Sequence, residues 1–139
     1  MRTAAVLVLI IALFLLANAA AAQQPSGSKP VAGVPELMKS VVIPESNAVF
    51  GVGKVAPKND KDWTAVQDSA AKLVDAAKLL MLQAPATGGA NWVRYSKEMA
   101  DVAATVGRAA QAKNVDGVLD AGDVLYSACE DCHKQYMKK

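Results

Sequence analysis

Two segments of the chain repeat apolar residues in alternating steps of three and four, a pattern that suits packed α-helices and not β-strands. The first repeat runs through Trp63, Val66, Ala70, Leu73, Ala77 and Leu80. The second repeat runs through Trp92, Tyr95, Met99, Val102, Val106 and Ala109. A heptad-like stripe of this kind is typical of helices that pack at shallow angles in bundles. We therefore predict two consecutive helices, the first capped by Asp60 or Asp62, with the Pro- and Gly-containing residues 84–89 between them.

Two further helices are predicted on either side of this pair. Pro35 suits the first turn of a helix that runs towards Phe50, although Pro44 removes one backbone hydrogen bond and predicts a kink or an early stop. The last helix begins near Val115, and apolar residues follow one side of it almost to the end of the chain. Four amphipathic helices with short links predict an all-α fold, an antiparallel four-helix bundle over residues 34–139.

The N-terminal residues have the three-part pattern of a secretory signal. Arg2 supplies a positive charge, an unbroken apolar run extends from Ala4 to Ala17, and three alanines at 20–22 offer a cleavage site. We expect residues 1–22 to be removed on export to the periplasm, and the Pro-, Gly- and Ser-rich residues 23–33 to form a flexible linker. After cleavage no membrane attachment is expected. The alternative is an uncleaved anchor, because about 20 apolar residues span a bilayer.

The charges of the chain are nearly balanced. Its 15 Lys and Arg residues stand against 13 Asp and Glu residues, which gives a formal net charge of +2. This balance excludes the basic surface of a dedicated nucleic-acid-binding protein, and it excludes disorder driven by excess charge. Nucleic acid is therefore not expected among the partners.

Both cysteines and the single histidine stand together in the last predicted helix, as Cys129-Glu-Asp-Cys132-His133. C-x-x-C-H is the attachment signature of c-type haem, in which two thiols add across the vinyl groups as thioethers and the adjacent imidazole binds the iron. A helix turns by about 100° per residue, so the three groups share an arc of about 100°. The motif predicts one covalently bound haem c, attached through Cys129 and Cys132 to the C-terminal helix, with His133 as the proximal iron ligand.

Three apolar or aromatic residues of the same helix, Leu125, Tyr126 and Tyr136, fall on or near this arc. We therefore expect them to pack against the haem. In this arrangement the haem lies inside the bundle, with one edge near its end.

Three other chemistries compete for the motif. A thioredoxin-like dithiol needs its reactive cysteine at a helix N-terminus, whereas this pair lies near the end of the last helix. A structural zinc site needs four ligands, and the chain offers two Cys, one His and at most a carboxylate such as Asp131. A Cys129–Cys132 disulfide in a haem-free exported bundle, acting as an interaction module, stays open, although it leaves His133 without a role.

The motif and its position resemble those of the class II cytochromes c, the cytochrome c prime family. The resemblance covers residues 34–139, and its specific part is the stretch 125–136, in which an aromatic residue follows the histidine by three positions. It implies an exported protein that is not an enzyme and that carries single electrons between redox partner proteins. The alternative that it implies is a five-coordinate haem protein that binds small gases such as nitric oxide. Relatives of this family often form homodimers.

The resemblance also implies a distal iron ligand. Low-spin relatives use a methionine of the first helix, and the stretch Glu36-Leu-Met38-Lys39 is similar to their methionine-bearing segment. Met38 is therefore the candidate distal ligand, and methionine is an established haem ligand that raises the reduction potential. The alternative is a core methionine on an apolar helix face.

A cluster of three lysines, Lys134, Lys138 and Lys139, follows the motif. One interpretation is that these cations complement the negative end of the last helix. The other is that they surround the haem edge and steer acidic redox partners.

Overall fold

The computed structural model describes residues 33–137, which form helices and connecting loops without any β-strand. Helix α1 (Val34–Leu37), a π-helical turn (Met38–Val42) and helix α2 (Ile43–Gly51) follow one another without a break, and we refer to them together as the first rod. Helices α3 (Asp60–Met81), α4 (Gly89–Gln111) and α5 (Val115–Tyr136) complete a helical bundle. The all-α prediction is confirmed over this range. The predicted signal and all of the predicted linker except Gly33 lie outside the described residues, as do Lys138 and Lys139.

The first rod does not end at Pro44, so the expected early stop is wrong. The Ile43 amide donates to the Met38 carbonyl, five residues earlier, and the chain continues helically on both sides of this wider turn. Proline has no amide hydrogen, and its ring collides with the carbonyl four residues before it. A π turn relieves that collision while the helix continues.

The stripe predicted for α3 lies in the hydrophobic core along its whole length. All six of its residues are buried. In α4 the buried stripe differs from the predicted one, because small residues alternate with residues of the predicted stripe. The buried residues of α4 are Trp92, Ser96, Met99, Ala103, Val106 and Ala110. The other predicted α4 residues, Tyr95, Val102 and Ala109, are half-buried at its edge.

Asparagine side chains cap two of the helices. Asn59 accepts a hydrogen bond from the Asp62 amide at 3.0 Å, and Asn114 accepts one from the Gly117 amide at 3.0 Å. The expectation that Asp60 or Asp62 caps α3 is therefore wrong. The Asp62 carboxylate lies one turn inside the helix and instead accepts from the Lys58 amide at 2.9 Å.

Four polar contacts connect the helices. The Trp92 indole of α4 donates to the Leu80 carbonyl of α3 at 2.6 Å, and the Tyr136 hydroxyl of α5 donates to the Gly88 carbonyl at 2.5 Å. Two ion pairs add to these: Lys113 with Asp60 at 2.6 Å, and Lys72 with Glu45 at 2.8 Å. The Tyr136 hydrogen bond ties the α3–α4 loop to the last turn of α5. None of the helices within residues 33–137 is long and apolar enough to cross a membrane.

Candidate functional site

A cleft of about 660 Å³ opens between the first rod, α4 and the last turns of α5. The first rod lines it with Val34, Pro35, Met38, Val42, Ile43, Ser46 and Phe50. Helices α3 and α4 line it with Leu80, Trp92, Tyr95, Ser96 and Met99. The end of the chain lines it with Tyr126, Ala128, Cys129, Glu130, Cys132, His133, Lys134, Tyr136 and Met137. Its size and mainly apolar lining are those of cofactor sites.

The three motif residues all line this cleft from the last turns of α5. Cys129 and Cys132 are half-buried free thiols, and His133 is exposed at the surface of the helix. They share one side of α5 because steps of three and four residues bring a helix back to nearly the same direction. The sequence prediction that they are close together is thus realised by a single continuous helix.

Burial keeps both thiols protonated. It raises the pKa of the Cys129 thiol, with a further contribution from the neighbouring Cys132, and it also raises the pKa of Cys132. Reactive dithiols and thiolate metal ligands need the opposite shift. Within residues 33–137 no group of three or more His, Cys, Asp and Glu side chains is arranged to hold a metal ion.

Met38 reaches the cleft from the first rod, whereas the motif reaches it from α5. Its side chain is half-buried and packs against the hydrophobic core. Two other methionines also line the cleft: Met99, buried in α4, and Met137, exposed beyond the end of α5. Met99 and Met137 are therefore two further thioethers at this site, and Met99 also packs in the core, as its place in the predicted stripe indicated.

The three expected haem-packing residues differ in position. Tyr136 lines the cleft, donates to the Gly88 carbonyl and packs edge-on against Trp92, with ring centroids 5.0 Å apart. Tyr126 lies at its margin, 60% exposed and edge-on to Phe50. Leu125 is completely buried in the hydrophobic core and does not line the cleft. Its packing against the haem stays a prediction, and the side of α5 on which Leu125 lies faces packed neighbouring helices at this level.

The two serine hydroxyl groups of the cleft wall are satisfied within their own helices. Ser46 donates to the Ile43 carbonyl at 3.1 Å, and Ser96 donates to the Trp92 carbonyl at 2.8 Å. No buried side-chain nitrogen or oxygen of the described residues lacks a hydrogen-bond partner. The wall therefore presents an apolar surface. Sequence reasoning did not select these serines, whose signal is a small polar residue within an apolar stripe.

Lys134 is the described member of the lysine cluster, and its charge is compensated locally. Its ammonium lies 3.2 Å from the Glu130 carboxylate and 3.6 Å from that of Asp131. The hydrogen bond to Glu130 raises the pKa of Lys134, so this residue stays charged. The immediate surroundings of the motif thus carry no net positive charge from residues 130–134.

No family model, curated protein or solved structure matches this chain.

Proposed function

We propose that the chain is an exported monohaem c-type cytochrome, similar to the class II cytochromes c, that carries single electrons. Haem c fits the donor set of the cleft, because two thiols and an imidazole on α5 and a thioether on the first rod all line one apolar space. When bound, haem supplies a one-electron couple at its iron. The observation that supports the proposal most directly is that Met38 and the motif line the same cleft from different helices.

Each residue then has a distinct role. Cys129 and Cys132 would hold the porphyrin through thioethers, and His133 and Met38 would bind its iron. The mainly apolar wall would lower the local dielectric around a bound haem, which is one way in which a protein tunes a reduction potential. If His133 and Met38 both bound the iron, no position on it would be left for a substrate, so the proposed role is that of an electron carrier and not of an enzyme.

Three contacts support the antiparallel order of the last three helices. Trp92, near the start of α4, donates to Leu80, near the end of α3. Lys113, just after α4, pairs with Asp60 at the start of α3. The end of α5 meets the residue before α4 through Tyr136. Contacts between the start of one helix and the end of the next are those of neighbours with short loops, as in up-and-down bundles.

Export to the periplasm and redox partner proteins belong to the same proposal. The compensation of Lys134 by Glu130 and Asp131 favours a role for this lysine at the helix end over the steering of acidic partners. Homodimer formation stays a prediction. Light scattering on the purified protein, which measures its molar mass in solution, tests it directly.

The first experiment concerns attachment. The full chain is expressed in a host with c-type maturation machinery, and intact-mass analysis is performed on the purified protein. We expect the polypeptide mass increased by one haem that resists acid–acetone extraction, and loss of that addition when Cys129 and Cys132 are both replaced by alanine. A mass equal to the bare polypeptide would refute the proposal and favour the haem-free bundle with a Cys129–Cys132 disulfide.

The second experiment concerns the distal ligand. Met38→Leu and Met99→Leu are nearly isosteric changes at two methionines of the same cleft, so the second is a matched control. We expect Met38→Leu to convert a low-spin optical spectrum to a high-spin one, and Met99→Leu to leave the spectrum unchanged. A wild-type spectrum that is already high-spin and unaffected by Met38→Leu would favour the gas-binding alternative.

A further inference from the structure

We infer that Pro44 is a positioning residue for the distal wall of the cleft: it imposes the π turn at Met38–Val42, and that turn directs Met38 into the cleft. The inference rests on the proposed function for the role of Met38 as a ligand, although the role of Pro44 in the helix register can be tested without it.

The hydrogen bonds locate the irregularity immediately before Pro44. The Leu37 amide donates to the Gly33 carbonyl at 2.9 Å, which is the regular spacing of four residues. The Ile43 amide donates to the Met38 carbonyl, which is a spacing of five. Pro44 has no amide hydrogen for the Ser40 carbonyl, and in a regular helix its ring would collide with that carbonyl. The wider turn thus begins at Met38 and ends directly before the proline.

The π turn changes the direction of Met38. Between Met38 and Phe50 lie 12 residue steps, which in a regular α-helix, at about 100° per step, leave the two side chains about 120° apart. A π turn takes up one additional residue. The angle between the Met38 and Phe50 side chains is therefore smaller by about 100°, which leaves them about 20° apart. Met38 and Ser46 are eight residue steps apart. Without the additional residue seven steps count, so their side chains point within about 20° of each other. Met38, Ser46 and Phe50 therefore form one line along the rod, and all three line the cleft.

The burial pattern shows the same additional residue. Leu37 and Val42 are both buried although they are five positions apart, and the next buried residues, Ser46 and Val49, follow at the usual steps of four and three. The residues between the first pair include Lys39 and Ser40, which are exposed. The additional residue is thus accommodated on the solvent side of the rod.

The experiment combines a substitution with a compensating deletion. Pro44→Ala restores the amide and removes the ring, so the turn is expected to become α-helical. Lys39 then takes the direction of Met38, and Met38 takes that of Leu37, a rotation of about 100°. Deletion of the exposed Lys39 from Pro44→Ala removes the additional residue and returns Met38 to the cleft. A loss of stability alone would not be repaired by shortening the chain.

Two measurements on the haem-loaded full chain are made for each variant. Crystal structures report whether the Ile43 amide donates to residue 38 or to residue 39, and optical spectra report the distal ligand. We expect Pro44→Ala to move this hydrogen bond to Lys39 and to lose sulfur ligation, and the double variant to regain it. The inference would be overturned if the Ile43 amide still donates to Met38 in Pro44→Ala. It would also be overturned if Pro44→Ala loses sulfur ligation and the deletion of Lys39 does not restore it.

Failure of the proposed function has a different signature. If Met38→Leu leaves the spectrum unchanged, Met38 is not the distal ligand, and the crystal structures alone then decide whether Pro44 sets the register. If Pro44→Ala does not fold, the double variant decides: a folded protein with Met38 in the cleft supports the inference, and a folded protein with Met38 elsewhere overturns it.

Discussion

Tyr136 fastens the last turn of α5, which carries His133, to the α3–α4 loop. Its hydroxyl donates to the Gly88 carbonyl at 2.5 Å, and its ring packs edge-on against Trp92 at a centroid distance of 5.0 Å. A typical intramolecular hydrogen bond contributes about 1 kcal/mol to stability, and an edge-on aromatic pair contributes about 1 kcal/mol beyond its buried area. Tyr136→Phe should therefore lower the free energy of unfolding by about 1 kcal/mol, and Tyr136→Leu by about 2 kcal/mol.

Denaturant unfolding of the haem-loaded protein measures these losses, and hydrogen exchange shows where they act. The Met137 amide donates to the His133 carbonyl at 2.8 Å, so its exchange reports opening of the last turn. A loss of about 1 kcal/mol corresponds to roughly fivefold faster exchange if the turn opens locally. Tyr126→Phe is the matched control, because Tyr126 is 60% exposed on the same helix. Equal effects of Tyr136→Phe and Tyr126→Phe would refute the reasoning.

Three further predictions concern the core, the surface charges and the α3–α4 loop. Leu73 is completely buried, so Leu73→Ala should lower the free energy of unfolding, measured with denaturant, by about 3 kcal/mol. Leu82→Ala is the control and should lower it little, because the Leu82 side chain is 79% exposed. Similar losses in the two variants would contradict the core assignment. The hydrogen bond from Lys72 lowers the pKa of Glu45 below its ordinary value of 4.5, so the pair stabilises the fold above that pH, and its contribution is lost as the pH falls through the lowered pKa. The stability difference between the wild type and Glu45→Gln should therefore shrink on acidification, and a constant difference would contradict this. Gly88 has φ +79°, a backbone conformation that is unfavourable for alanine, so Gly88→Ala should lower the free energy of unfolding by about 1 kcal/mol. Thermal unfolding measures this loss, and an unchanged Tm would show that the loop relaxes.

The helices were predictable because their signals are local. The α3 stripe was predicted residue by residue, and all six positions are buried. In α4 the predicted stripe included Tyr95 and Val102, which are half-buried, whereas Ala103 and Ala110, which were not in that stripe, are completely buried. A pattern of hydrophobicity does not register size, and small residues occupy the places where helices approach each other most closely.

The first rod was the least predictable element. Pro44 indicated a disruption, but its sequence pattern could not distinguish a kink, a stop and a π turn, because each of them removes the collision with the Ser40 carbonyl. The choice depends on whether residues on both sides of the proline can remain in the core. Leu37 and Val49, one on each side, are both buried, and packing of these two residues keeps the rod continuous.

The sequence by itself determined the three motif residues and their common side of α5, because helical periodicity alone brings positions 129, 132 and 133 together. The tertiary structure alone decided that Met38 lines the same cleft, that Leu125 lies in the core, and that Tyr136 meets Gly88. These contacts join residues that are far apart in the chain. They depend on how the helices are rotated and packed against one another, which the shapes of many side chains set collectively and no short segment encodes.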